Sequence, residues 1–156
     1  MSNASTFQLD PYTILTKFKS LGVSQMVKVH RAAFANENRV LIEAAKTQLR
    51  GVTHRADTGY TAARKGWTKE STLTAGIWSK VSPNGDSGMV HIMGDFRLKW
   101  FEMGTKERVR FRSNNASTGK MRPRPFFARA VASARNQMKE EFEKTIINAV
   151  QKRVKG

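Results

Sequence analysis

The chain has 156 residues, contains no cysteine and carries 28 Lys and Arg against 12 Asp and Glu, so its net charge is +16 at neutral pH. This length suits a single domain, and the missing cysteines exclude a disulfide framework, a thiolate zinc site and a cysteine nucleophile. No apolar stretch approaches the ~18 residues that a membrane span needs, so no transmembrane segment is expected. The charge favours an anionic partner, whether nucleic acid, an acidic protein surface or a membrane face.

The N-terminal part is predicted to be helical. Residues 1–23 are interpreted as an arm with a short helix. The first ten residues lack the basic and apolar regions of a secretory signal, so synthesis inside the cell is expected. A long amphipathic helix is predicted over 24–50, with Ser24 as its cap and Gly51 as its stop. Its apolar residues recur at spacings of seven and four. They are Val27, Phe34, Leu41, Ala45 and Leu49.

A β region is predicted over residues 67–112, where β-branched and aromatic residues become frequent. Apolar residues at odd positions favour a strand over 71–81, and a cluster of Pro, Asn, Gly and Asp over 83–88 predicts a turn. The apolar run 89–93 follows directly, so the sequence indicates a β-hairpin.

The end of the β region is less regular. Residues 95–103 suit either a short helix or an irregular strand. Residues 105–112 alternate between apolar and basic side chains, which is typical of a half-exposed strand with a basic outer face. Its basic residues are Arg108, Arg110 and Arg112.

The C-terminal part is predicted as a basic loop over 113–124 followed by a helix over 125–154. The helix has an apolar stripe with a 3.6-residue period: Phe127, Val131, Ala134, Met138, Phe142, Ile146, Ala149 and Val150. The chain is therefore predicted to be one α+β domain, in which the long N-terminal helix and the C-terminal helix pack on a small antiparallel β-sheet with extended loops.

Residues that could catalyse a reaction or bind a metal are few and scattered. His30, His54 and His91 lack the spacing of a metal-binding pair on one helix, and no phosphate-binding glycine loop occurs. No catalytic residue, cofactor or metal site is expected. The enzymatic alternative is a small basic ribonuclease that uses His54 or His91.

The segment 97–135 is the most basic part of the chain, with 11 basic and two acidic residues. Its cations alternate with aromatic residues, the combination that contacts phosphates and stacks bases, so a nucleic-acid-binding module is one hypothesis. Val109 and Phe111, however, share one face opposite the arginines, which favours aromatic side chains in the core. The basic face can equally dock onto acidic protein neighbours.

Two short blocks, residues 100–105 and residues 121–130, carry a more specific pattern. Together they resemble the signature of the head-tail joining or tail-completion family of long-tailed bacteriophages. The matching residues are Glu102, Gly104, Thr105, Pro125, Phe126 and Ala130. Pro123 departs from the family pattern, which has a small residue before Arg-Pro-Phe.

The resemblance implies a structural protein of the virion neck without enzymatic activity, assembled in the cytoplasm of the bacterial host. It implies a ring, expected to be a hexamer, with the tail tube on one side and the connector or portal complex on the other, and with no membrane partner. DNA could pass through the ring, but strong phosphate contacts would slow ejection, so protein contacts are favoured. A tail terminator is an alternative with a similar shape.

The matching residues also have simple physical interpretations. Gly104 suits a backbone reversal with positive φ, and Glu102 can accept hydrogen bonds from backbone amides or pair with Arg124. Pro125 presets the start of the last helix, and Phe126, with its neighbour Phe127, is expected to anchor that helix to the sheet.

An anchored helix would direct the preceding basic residues outward. We therefore expect an assembly interface formed by Arg108, Arg110, Arg112, Lys120, Arg122 and Arg124.

Overall fold

A computed structural model of the protein describes residues 22–57, 72–107, 117 and 119–154. The predicted α+β architecture is confirmed, and these ranges contain two long helices, one short helix and one antiparallel hairpin. The elements are α1 (Val23–Val52), β1 (Trp78–Val81), β2 (Gly88–His91), α2 (Phe96–Met103) and α3 (Phe126–Val154). In the described ranges, no helix is both long enough and apolar enough to cross a membrane.

Helix α1 follows the predicted range to within two residues at each end, but it continues through Gly51, the predicted stop, and is capped by Thr53. Its buried face includes Leu41, Ala45 and Leu49, as the seven-and-four spacing indicates. The prediction that Ser24 caps the helix is wrong. The capping position is Gly22, whose carbonyl accepts hydrogen bonds from the amides of the first turn, and no side chain caps this end.

Helices α1 and α3 pack along each other in antiparallel directions, because Leu49 near the end of α1 lies in the same buried cluster as Phe126 at the start of α3. Asn36 Nδ2 donates to Thr145 Oγ1 at 2.9 Å, and the rings of Phe34 and Phe142 meet edge to face with centroids 5.0 Å apart. The predicted apolar stripe of α3 is largely covered, but Val131 is 38% exposed. The sequence does not reveal the exposure of Val131, because α1 covers a narrower strip of α3 than the apolar residues of α3 occupy.

The predicted hairpin is present but shorter than expected. Trp78 pairs with His91 and Val81 with Gly88, and residues 82–87 form the turn, closed by a 2.9 Å bond from the Ser82 amide to the Ser87 carbonyl.

The prediction of a strand over 71–81 is wrong in its first half. A 3-10 turn occupies Thr74–Gly76, because the Thr72 hydroxyl accepts from the Ala75 amide at 3.2 Å and so supports a turn. A side chain at Gly76 would meet the Asp95 backbone nitrogen at 2.8 Å.

Residues 95–103, after the hairpin, were expected to form either a short helix or an irregular strand. Residues 96–103 form helix α2, and residues 105–107, predicted to begin a strand, have no strand structure. The rest of that strand, most of the loop 113–120, the predicted arm helix and residues 67–71 lie outside the described residues.

The core lies where α1, α2 and the start of α3 meet the segment before β1. Phe126 is fully buried there. Helix α3 packs mainly against α1 and less against α2, so the expectation that Phe126 and Phe127 anchor it chiefly to the sheet is corrected. The buried cluster comprises Leu41, Ala45, Leu49, Ala56, Leu73, Ile77, Leu98, Phe126 and Ala130.

Candidate assembly site

The two blocks that carry the family resemblance are joined through the Glu102 carboxylate. Oε2 accepts a hydrogen bond from the Phe127 amide at 2.9 Å, and Oε1 accepts one from the Ala128 amide at 3.1 Å. Amides in the first turn of a helix have no partner within that helix, and a negative charge there is favourable. A side chain of α2 therefore caps α3, which is the first of the two roles predicted for Glu102.

Arg124 has a different role from the predicted pair with Glu102. Its Nη1 donates to the Val52 carbonyl at 3.1 Å, and its backbone amide donates to the Phe101 carbonyl at 2.7 Å. Arg124 therefore ties the segment before α3 to the ends of α1 and α2, although its side chain is exposed.

Gly104 ends α2 with the positive φ that the sequence predicts, at +73°. A β-carbon at this position would lie 2.7 Å from the Met121 carbonyl oxygen and 2.9 Å from the Pro123 ring. Glycine is thus needed for its backbone conformation and for the close approach of the second block.

Thr105 pairs with Met121 at the next step along the chain. The Thr105 amide donates to the Met121 carbonyl at 3.0 Å, and the Met121 amide donates to Thr105 Oγ1 at 2.9 Å. These two bonds hold the ends of the segment 106–120 side by side.

The remaining matching residues start helix α3. The Pro125 carbonyl accepts hydrogen bonds from the amide and from Nε of Arg129, at 3.4 and 3.0 Å. Phe126 and Ala130 are fully buried, so one turn of α3 faces the core while Pro125 stays exposed.

The structure describes three of the six residues of the predicted basic interface. Lys120 and Arg122 are exposed beside the junction of the two blocks, together with Arg124. The other three predicted residues, Arg108, Arg110 and Arg112, lie outside the described residues.

Two further cations reach this surface that the sequence analysis did not include in the interface. Lys99 and Lys106 line one groove with Lys120 and Arg122. The sequence did contain a sign that Lys99 belongs to this surface, because residues four apart, such as Lys99 and Met103, share one face of a helix. That spacing could be used only once residues 96–103 were known to be helical.

Helix α2 is fixed at its start by Asp95. The Asp95 carboxylate accepts a hydrogen bond from the Arg97 amide at 2.9 Å and forms an ion pair with the Arg97 guanidinium. Burial alone would raise the pKa of this carboxyl, but the bonds from Arg97 outweigh burial, so the pKa lies below its usual value. The charged form of Asp95 therefore stabilises the helix that carries Glu102 and Gly104.

No group of three His, Asp or Glu residues within the described ranges is arranged to hold a metal ion. His54 is exposed, and the His91 ring stacks on Trp78 with centroids 4.2 Å apart.

Comparisons of the chain with protein-family models, with curated protein sequences and with solved structures find no match.

Proposed function

We propose that this chain is a structural protein of the bacteriophage neck, which completes the tail or joins it to the head as one subunit of a ring. The observation that supports the proposal is the junction of the two blocks. Glu102 caps the helix that follows the second block, and Thr105 pairs with Met121. The two blocks that resemble the family signature are therefore in direct contact.

The junction is a hydrogen-bonded base beside an exposed charged surface, an arrangement that suits an assembly protein. Three elements are tied together there, since Arg124 contacts α1 and α2 while Glu102 caps α3. Lys120 and Arg122 project from this base. In a ring that closes by rotation, such a patch must complement a different patch on the next subunit.

The charge makes acidic proteins the expected neighbours. A subunit of +16 gains little from contact with copies of itself unless their acidic groups or other proteins compensate it. From the family resemblance we propose that these neighbours are the tail tube on one side and the connector or portal complex on the other, in a ring of six subunits assembled in the bacterial cytoplasm.

Electron microscopy of particles from a phage or prophage that lacks only this gene tests the proposal. Filled heads and finished tails that lie apart are expected, with joining restored by the gene supplied in trans. Abnormally long tails would instead identify a tail terminator. Normal infectious virions would overturn the neck proposal.

A nucleic-acid-binding module is the second candidate, favoured by the net charge and the exposed cations beside the junction. If six to ten phosphates are contacted, the affinity for DNA falls by roughly 10³ to 10⁵ between 50 and 200 mM salt. A titration of duplex DNA at both salt concentrations measures this slope, and weak binding at 50 mM would exclude the candidate.

A further inference from the structure

A groove of about 900 Å³ lies between the C-terminal half of α2 and the two non-helical segments that meet at Thr105 and Met121. This volume is within the range of ligand-binding clefts. We name it the junction groove, and its principal lining residues are Lys99, Met103, Lys106, Lys120, Met121 and Arg122.

The cations of the junction groove are exposed and have no acidic partner in the described part of the chain. None of Lys99, Lys106, Lys120 and Arg122 forms an ion pair there. The acidic lining residue Glu107 accepts a 2.7 Å hydrogen bond from the Ser117 hydroxyl instead. Four cations without acidic partners among the described residues therefore line one groove, which favours an anionic occupant.

The floor of the junction groove is apolar. Met103 is 67% exposed, and Met121 and Trp100 are half-buried beside it. Methionine side chains are flexible and polarisable, so they adapt to aliphatic and aromatic side chains of a binding partner. The groove therefore has both an apolar surface and positively charged side chains.

The geometry points to an acidic peptide segment of a different protein as the occupant, with carboxylates on the lysines and Arg122 and an apolar side chain against Met103 and Met121. This inference deepens the proposed function and rests on it, because it names the chemistry of the neighbour in the neck.

A second copy of the chain fits less well. Five of its carboxylates already pair with basic residues of the same chain: Glu43, Asp57, Asp95, Glu141 and Glu143. A single-stranded nucleic acid also fits less well, because base stacking needs an open ring face. Trp100 lines the groove but is half-buried, and its edge-to-face neighbour Phe96, at 5.0 Å, is 64% exposed but does not line the groove.

Fluorescence anisotropy with the full chain tests the occupant. The probe is a labelled ten-residue peptide of alternating glutamate and leucine, compared with a glutamine and leucine peptide and a glutamate and serine peptide. The first peptide is expected to bind at least about tenfold more tightly than either analogue, because only it has both the charge and the apolar side chains. Equal binding of the glutamate and serine peptide would overturn the role of the apolar floor.

Matched variants locate the binding. Lys106→Glu with Arg122→Glu should weaken binding about tenfold or more, whereas Lys28→Glu with Lys152→Glu makes the same charge change at exposed sites outside the groove. Met103→Ser should weaken binding several-fold, and Met93→Ser, at a methionine that is 59% exposed elsewhere, should not. Equal losses in the groove variants and their controls would overturn the assignment to this groove.

Two further outcomes would replace the occupant. Tighter binding of a 20-nucleotide thymidine strand that the groove variants abolish would identify nucleic acid. Self-association, measured by sedimentation and lost in the same variants, would identify a second copy. If deletion of the gene separates heads from tails but the Lys106→Glu, Arg122→Glu variant restores joining, the inference fails while the proposed function stands. Normal virions from the deletion would remove the proposed function and leave the peptide measurements unaffected.

Discussion

Thr105 and Met121 are held together by two hydrogen bonds, one between their backbones at 3.0 Å and one from the Met121 amide to Thr105 Oγ1 at 2.9 Å. This pairing follows directly on the turn at Gly104, whose φ is +73°. The end of α2, the turn at Gly104 and the Thr105–Met121 pair follow one another without a break. This structure positions the neighbouring basic residues Lys106, Lys120 and Arg122.

Thr105→Val should destabilise the fold by about 1 kcal/mol, because valine keeps the shape but leaves the Met121 amide without its side-chain acceptor. Urea unfolding followed by circular dichroism measures the change. Thr47→Val, at an exposed position of α1, is the control and should change stability little. Equal effects of the two substitutions would contradict a structural role for the Thr105 hydroxyl.

Glu102→Ala should cost about 1–2 kcal/mol of stability, because two amides in the first turn of α3 lose their acceptors. Glu102→Gln should cost less, since one amide oxygen still accepts a bond although the favourable charge at the helix end is lost. Glu140→Ala, on an exposed face of α3, is the matched control in the same unfolding experiment. A Glu102→Ala protein as stable as this control would show that the cap is not needed.

Gly104→Ala should be more destabilising than Gly119→Ala. Both glycines have φ near +75°, so both variants carry a backbone cost of about 1 kcal/mol. Only at Gly104 does the new β-carbon also approach other atoms, the Met121 oxygen and the Pro123 ring. The difference between the two variants in thermal unfolding measures this close approach, and equal losses would argue against it.

Glu37→Gln should stabilise the protein by a few tenths of a kcal/mol at pH 7. Burial raises the pKa of Glu37 above its usual value, so its ionised form opposes folding. The penalty is absent at low pH, where the carboxyl is protonated in both states, and appears as the pH rises through the raised pKa. Unfolding curves of the variant and the wild type should therefore converge near pH 3, and a constant difference at all pH values would contradict this.

Asp95→Ala should cost about 1 kcal/mol at pH 7, because α2 loses its N-cap. The bonds from Arg97 lower the pKa of Asp95, so its contribution is fully present above the usual pKa and is lost as the pH falls through the lowered value. The difference in stability between wild type and variant should thus shrink below about pH 4. A difference that grows with acidity would contradict the sign of the shift.

Local patterns in the sequence were sufficient for the two long helices, the hairpin and the positive φ at Gly104. In α1, the spacing of Leu41, Ala45 and Leu49 reports the buried face directly, because an amphipathic helix repeats every 3.6 residues whatever covers it. The strand predicted before β1 failed because Thr72 supports a turn and Gly76 meets Asp95, and no periodicity reports a contact with a distant segment.

The candidate site also has features that the sequence determined and features that only the tertiary structure decided. Sequence alone determined the α+β class, the excess of positive charge and the residues of the two blocks. Only the tertiary structure decided that Glu102 caps α3, that Arg124 binds the Val52 carbonyl, and that Lys99 joins Lys120 and Arg122 around one groove. These contacts join residues far apart in the chain, and their partners are chosen by how α1, α2 and α3 pack, which depends on the whole buried core.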